Sequence, residues 1–308
     1  MSDNLVSIIF ICWNRKNEVR ITLNKLKNLS YKNKEIIVVD NNSNDGTYEM
    51  MQKEFPDVII SKENNNIGIE AYNHALEKTK GEYVFVLDDD SHLEKDAIEK
   101  SIEVFEKNLD YGIVAFKIIL PETGEVVTRT WNKKELTSFW GCGFAIRRDL
   151  IDKLDTFYDK DLFLYTNEYD LAIRAWNIGY KVIYDEDIIA YHRVSSMNRI
   201  NGRLVEFSVA NDIAFNYKYI PFPWIMYTLP NNLFIWFIRS MVEGSLKYWF
   251  IGFKKGIKNL NLHKNKKQRL SKKVLSFYLK NHRNFENPIS KFFRKFFDNS
   301  LLKKVENV

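Results

Sequence analysis

The chain has 308 residues, 45% of them hydrophobic and 28% charged, which excludes a disordered polymer and allows one large domain or a domain with an appendage. The net charge of +6 is uneven: residues 251–308 carry 16 Lys or Arg against 3 Asp or Glu, while the rest is mildly acidic, so an anionic partner is expected for the basic end. The two cysteines, Cys12 and Cys142, are too few for a secreted disulfide framework and point to a reducing cytosol.

Met1–Asn4 is polar, and the apolar run Leu5–Cys12 has no small-residue cleavage site after it, so no secretory signal is expected. Val6–Cys12 (VSIIFIC) reads as a buried strand, followed by a helix over about Glu18–Leu29. Ile36–Asp40 is a second buried strand, ending in the polar loop Asn41–Gly46. Thr47–Phe55 reads as a helix, Val58–Ser61 as a weaker strand, and Gly68–Lys80 as a helix stopped by Gly81. Tyr83–Leu87 is a fourth strand that runs into Asp88-Asp89-Asp90. Glu94–Asn108 then reads as a helix, Gly112–Leu120 as a strand and Gly141–Arg148 as a turn entering a strand. Asp161–Gly179 contains a helix, Lys181–Tyr184 is the last strand, and the strand-like stretch Ile188–Tyr191 leads into His192. Strands alternating with helices predict an α/β fold with a mainly parallel sheet, and such sheets bind ligands beyond the carboxyl ends of their strands. A composition shift near Pro221 predicts a catalytic domain over residues 1–218 and a helical extension over 219–308.

Asn14, Asp40 and Asp88 all lie at predicted strand ends, where a nucleotide would need polar groups. Three adjacent carboxylates repel one another, and a hard divalent cation is the simplest way to hold Asp88, Asp89 and Asp90 together. Manganese suits the same oxygen ligands. The other reading is a solvated acidic turn before the following helix. Asp40, with Asn41 and Asn42, can accept hydrogen bonds from a base or ribose, or form a simple Asx turn. Gly68 permits close backbone approach at a helix start with Asn66 as its cap, and Asn73 follows one turn later; structure alone explains these three. Glu168 is a candidate general base, and both it and Asp170 also suit a helix N-terminus. His192 is a candidate third ligand or diphosphate contact.

In order, VSIIFICWNR, EIIVVDNNSNDGT, NNNIGIEAYNHALEKTKGEYVFVLDDD, GCGFAIRR, FLYTNEYDLAIRAWNIGY and AYHRVSS resemble family 2 glycosyltransferases of the GT-A fold, particularly the rhamnosyl- and galactofuranosyl-transferase-like branch. The resemblance covers about residues 6–196. It implies an inverting, metal-dependent enzyme that moves a sugar from a UDP- or dTDP-linked donor to a glycan or lipid-linked acceptor in cell-surface polysaccharide synthesis. Asp40 would contact the base; Asp88 and Asp90 would form the two ends of the DxD motif, contacting ribose and an Mn²⁺ or Mg²⁺ ion, with Asp89 between them. Asn14, Arg15, Asn42, Asn66, Gly68 and Asn73 would line the donor nucleotide, and His192 would complete the metal site with Asp88 and Asp90. The family pattern Glu-Asp-x-Asp-Leu-x-x-Arg reads Asn167-Glu168-Tyr169-Asp170-Leu171-Ala172-Ile173-Arg174 here. Glu168 therefore stands where the family has its base, and Asp170 is the fallback.

In the last third, Phe222–Phe253 is rich in aromatic and aliphatic residues. Pro221, Pro223 and Pro230 are expected to break its first part, leaving one helix over Leu233–Phe253 with Arg239, Glu243 and Lys247 as a polar stripe. No stretch of about 18 uninterrupted apolar residues occurs, so no spanning helix is expected. An apolar helix followed by lysines suits an anionic membrane surface, predicting a cytoplasmic protein peripheral on the inner face of the cell membrane. Packing on the catalytic domain or a homo-oligomer interface is the other reading. Nucleic acid is not an expected partner, because no base-reading motif accompanies the lysines. A sugar nucleotidyltransferase would need a Gly-rich loop where Cys12-Trp13-Asn14-Arg15 stands, and an inactive scaffold with the same fold is the third alternative.

Overall fold

A computed structural model of the chain describes residues 4–128, 134–193, 202–264 and 268–281. The chain divides into two compact units: Met1–Phe163 with Arg174–Met197, and Leu164–Ile173 with Asn198–Val308.

The first unit is built on strands β1 (Val6–Cys12), β2 (Lys34–Asp40), β3 (Ile59–Lys62), β4 (Tyr83–Leu87), β5 (Ser91–Leu93), β6 (Tyr111–Ile119), β7 (Gly143–Arg147) and β8 (Lys181–His192). They form one sheet in the order β3-β2-β1-β4-β7-β6-β8-β5. The β1, β2, β3 and β4 half is parallel, as the βαβ alternation predicts. Strand β7 enters antiparallel to both β4 and β6, while β6 and β8 are parallel. Helices α1 (Lys16–Lys27), α2 (Thr47–Glu54), α3 (Ala71–Leu76), α4 (Ala97–Lys107) and α5 (Arg148–Lys153) connect the strands. Val6, Ile8, Ile9 and Phe10 of β1 are all fully buried, because a central parallel strand is covered on both faces.

Three expectations change here. The helix expected over Gly68–Lys80 is a 3₁₀ turn, Gly68–Glu70, followed by the short α3. The stretch taken as the start of the Glu94–Asn108 helix is preceded by a strand, β5, too short to read from sequence. Strand β8 does not stop at Tyr184. Its register against β6 skips between Asp185 and Ile189, so exposed Glu186 and Asp187 bulge out and pairing resumes to Tyr191. The acidic bulge separates Lys181–Tyr184 from the strand-like stretch Ile188–Tyr191 in the sequence, whereas the fold joins them into one strand that ends in His192.

The second unit contains α7 (Arg203–Tyr219), α8 (Ile225–Val242), α9 (Leu246–Asn259) and α10 (Lys272–Asn281), together with the first residues of α6 (Asn167–Asn177). Helix α7 is largely buried, and its buried set includes the polar Ser208, Asn211, Asn216 and Lys218 as well as apolar side chains. It packs closely on α9 through two glycines one turn apart: a Cβ on Gly252 would lie 2.3 Å from the Glu206 carbonyl oxygen, and one on Gly256 would lie 2.7 Å from Ile213. The single helix expected over Leu233–Phe253 is instead two, α8 and α9, separated at Gly244 by a left-handed residue (φ 64°). Pro230 does not break α8 but lies inside it. The carbonyl that loses its partner belongs to Met226, a residue that is 69% exposed, so it is not stranded in the core. Of the expected polar stripe only Arg239–Glu243 pairs along the helix, at 2.6 Å; Lys247 belongs to α9 and sits over the Tyr248 ring. The composition shift near Pro221 falls between α7 and α8.

Candidate functional site

In the first unit, β2, β1 and β4 are parallel neighbours, so their carboxyl ends open on one rim. Cys12 is in register with Asp40, and the acidic triplet follows β4 directly. Arg15 reaches across this rim: one guanidinium nitrogen donates to Asp89 at 2.9 Å and to Asp90 at 2.8 Å. Asp90 is only 2% exposed, and its other oxygen lies 3.1 Å from His192 Nε2. His192 Nε2 is also 3.9 Å from Asp88 Oδ2. Ligand atoms of Asp88, Asp90 and His192 all fall within 4.8 Å of one another. The topology explains the third member, since β5 runs antiparallel to β8 and sets Ser91 opposite His192.

Burial and the neighbouring carboxylates raise the pKa of Asp88 and Asp89. Burial pushes Asp89 up to about 8 despite its pair with Arg15. Asp88 is raised by burial and by Asp90, against the lowering effect of His192 and Arg15. A compact set of two carboxylates and an imidazole has the donor chemistry for a divalent ion such as Mn²⁺ or Mg²⁺. Arg193 fixes the chain beside His192. Its guanidinium donates to Glu18 at 2.9 Å and to the Thr22 hydroxyl at 2.6 Å, and Thr22 donates to the Asp89 carbonyl. Nothing in the local sequence distinguishes Arg193; its role follows from the end of β8 meeting α1.

The remaining donor-side residues hold the neighbouring loops. Asp40 is fully buried and accepts from the Ser43 N–H at 3.0 Å, with the Cys12 thiol 3.7 Å away. Burial and Asp40 hold that thiol well above its usual pKa, so Cys12 is not a nucleophile at neutral pH. Asn14, at φ 53°, accepts from the Asn44 N–H, and its own N–H donates to Ser43. Asn42 is exposed at φ 66°. Asn66 accepts from the Gly68 N–H at 3.0 Å. Asn41 ties the two loops together: its amide donates to the Gly68 carbonyl and accepts from the Ile67 N–H. Gly68 has φ 64°, and a Cβ there would lie 2.5 Å from the Phe163 carbonyl oxygen, so only glycine fits. Asn73 spends both ends of its amide on the Tyr158 backbone, each at 2.9 Å.

Glu168 and Asp170 belong to the second unit. Asp170 is 1% exposed, and one of its oxygens accepts from Lys218 at 2.8 Å and from the Tyr219 hydroxyl at 2.6 Å. Removing one partner of such a buried pair typically costs about 3–5 kcal/mol. Glu168 is half-buried, accepts from the Asn167 amide at 2.9 Å and lines a pocket of about 330 Å³. Two non-glycine residues just before it, Tyr165 and Thr166, both have φ 63°. Asn211 of α7 donates to the Leu164 and Tyr165 carbonyls at 2.7 and 3.0 Å and so braces this strained approach.

The model of the family described as "Glycosyl transferase family 2" matches residues 7–170 of this chain. Among curated proteins, the chain is 31% identical over 121 residues to the putative teichuronic acid biosynthesis glycosyltransferase TuaG of Bacillus subtilis, covering 37% of this chain and 48% of that protein. It is 25% identical over 234 residues to the amylovoran biosynthesis glycosyltransferase AmsB of Erwinia amylovora, covering 68% and 77%. The match to TuaG thus spans about half of that relative's length. Among solved structures, the mannosyltransferase PcManGT of Pyrobaculum calidifontis, in complex with GDP-Man and Mn²⁺, superposes with a TM-score of 0.57 at 16% identity, over 96% of this chain and 88% of that one. Residues 1–349 of S. aureus TarS, in complex with UDP-GlcNAc, give a TM-score of 0.60 at 16% identity, over 95% and 92%. The fold is GT-A-like, as the sequence resemblance implied.

Proposed function

Since this chain belongs to glycosyl transferase family 2, we propose that it transfers a sugar from a nucleoside diphosphate donor to a hydroxyl of a glycan or lipid-linked acceptor, in the synthesis of a cell-surface polysaccharide. The observation that carries this reading is the convergence of Asp88, Asp90 and His192 beside Arg15 at the open end of the parallel strands. Asp88, Asp90 and His192 would hold Mn²⁺ or Mg²⁺, which when bound supplies Lewis-acid stabilisation of negative charge on the leaving diphosphate. The donor nucleotide, UDP or dTDP, lies along the rim formed by Asn14, Asp40, Asn42, Asn66 and Gly68. Asp40 is committed to the turn at Ser43, so it shapes the nucleotide loop besides offering a carboxylate to the base. Asn73 acts by positioning Tyr158. The finer branch is the rhamnosyl- and galactofuranosyl-transferase-like one on which the sequence resemblance rests.

Glu168 serves as general base. It takes the proton of the acceptor hydroxyl while that oxygen forms a bond to the anomeric carbon. The bond from the anomeric carbon to the diphosphate oxygen breaks, and its electron pair leaves with the nucleoside diphosphate. A single displacement of this kind inverts the anomeric configuration. Asp170 is the weaker candidate, because Lys218 and Tyr219 already engage its carboxylate. A panel of UDP-, dTDP- and GDP-sugars incubated with Mn²⁺ or Mg²⁺ tests the proposal by nucleotide release. One donor should be turned over well above the others; no turnover of any donor with any glycoside acceptor would remove the transferase reading.

The second unit suits a membrane-facing role. Among its described residues, Met226, Phe234, Met241, Val242, Phe250 and Ile257 are exposed apolar side chains of α8 and α9, and Lys254 and Lys258 also lie on α9. No helix of the described residues is long and apolar enough to cross a membrane. The full chain should float with anionic liposomes at low salt and float less as salt rises. Equal recovery in the soluble fraction with and without liposomes would dismiss this role.

A further inference from the structure

The pocket around Glu168 is only partly built from the portion that matches the family. Besides Tyr165, Thr166, Glu168 and Tyr169, its lining comes from α7 and α8, which lie beyond residue 170. At about 330 Å³ it sits at the small end of the ~300–1,000 Å³ range of small-molecule sites. One wall is the half-buried Trp236, whose indole N–H donates to Asp212 Oδ2 at 2.9 Å. Arg239 lies over the Trp236 ring at 5.1 Å and pairs with Glu243 at 2.6 Å.

We propose that this pocket is the acceptor subsite and takes a neutral, hydroxyl-bearing sugar ring, with Trp236 as its flat wall and Asp212 as the hydrogen-bond partner of a ring hydroxyl. A sugar has apolar C–H faces and hydroxyl edges, so an aromatic wall next to a fixed carboxyl matches both. A carboxyl group has about four lone-pair sites, and one indole N–H does not exhaust them. Charge argues for a neutral ligand. The cation at this pocket, Arg239, is already paired with Glu243, while Glu168 repels an anion. Asp212 itself has no ion pair among the described residues, and burial pushes it up to about 7, so at neutral pH it is a mixture of hydrogen-bond donor and acceptor. Titratable groups that line the same pocket are Tyr165, Glu168, Tyr169 and Arg239, and Tyr278 on α10 feels the Asp212 charge. Acceptor choice would then be written largely in helices beyond the family match, not in the donor-binding portion. The assignment of the ligand as acceptor rests on Glu168 being the base.

Saturation-transfer NMR on the full chain tests this directly, with methyl glucoside, galactoside, mannoside and rhamnoside as neutral probes and methyl glucuronide as the anionic one. At least one neutral glycoside should receive saturation, more strongly than the glucuronide. Trp236→Ala and Asp212→Ala should each reduce that signal at least fivefold, Trp236→Phe should give an intermediate loss, and Glu168→Gln should retain it. Melting curves taken alongside identify a variant that has unfolded, in which case Trp236→Phe and Asp212→Asn decide. No saturation of any neutral glycoside, preference for the glucuronide, or unchanged binding in the Trp236 and Asp212 variants overturns the proposal. If the probes bind as expected but Glu168→Gln transfers sugar at the wild-type rate, the pocket stands as a sugar site and the base assignment falls instead.

Discussion

Glu168→Gln should lower the rate of sugar transfer by about 10²–10⁴-fold while donor affinity stays within a factor of about two. Gln keeps the length of the side chain and the oxygen that accepts from the Asn167 amide, so the pocket geometry is preserved and only proton acceptance is lost. The effect should therefore fall on kcat, with little change in KM for the donor. Titration calorimetry with the preferred nucleoside diphosphate and a product assay separate the two quantities. Asp170→Asn provides the contrast. It leaves the Lys218 ammonium buried beside a neutral amide, so its main effect should be a large drop in melting temperature. Normal turnover in Glu168→Gln together with a stable but inactive Asp170→Asn would exchange the roles of the two carboxyls.

Asp90→Asn should weaken Mn²⁺ binding by about 100-fold or more and reduce transfer in parallel. The cause is electrostatic. Asp90 is almost fully buried and is shared between Arg15 and His192, so it gathers the donor set as well as belonging to it. Removing its charge takes one carboxylate from Arg15, which keeps Asp89, and releases His192 from the carboxylate at 3.1 Å. His192→Ala should have a smaller effect on affinity, since both carboxylates remain. In the wild type, EDTA should abolish transfer, and added Mn²⁺ or Mg²⁺ should restore it. Calorimetric Mn²⁺ titration of each variant gives the affinity without reference to activity. Full turnover in excess EDTA would remove the metal from the mechanism, although the acidic cluster would still need Arg15 to neutralise it.

The C-terminal unit shows how far local patterns carry. The aromatic and apolar run after Pro221 was legible as helix because Leu, Ile, Phe and Trp recur without strand-like alternation. Its division into α8 and α9 was not. Gly244 ends α8 in a left-handed conformation that the surrounding helix formers conceal, and Pro230 is tolerated because the carbonyl it strands belongs to an exposed residue. Asp212 also reads as one of several polar residues of a mixed helix until folding places Trp236 against it.

Local patterns were enough to establish the α/β class, the parallel half of the sheet and the rim at which Asp40 and Asp88 arrive. All three follow from β-branched runs, the turns that end them, and the rule that parallel strands present their carboxyl ends together. What each carboxyl does emerges only on folding. His192 reaches Asp90 because β8 continues past an acidic bulge and pairs with β5, and Asp170 is withdrawn because Lys218 and Tyr219, some fifty residues later, close on it. Those outcomes depend on contacts between distant segments, where burial and pairing set the charge and reach of a side chain, and no window of sequence contains both partners.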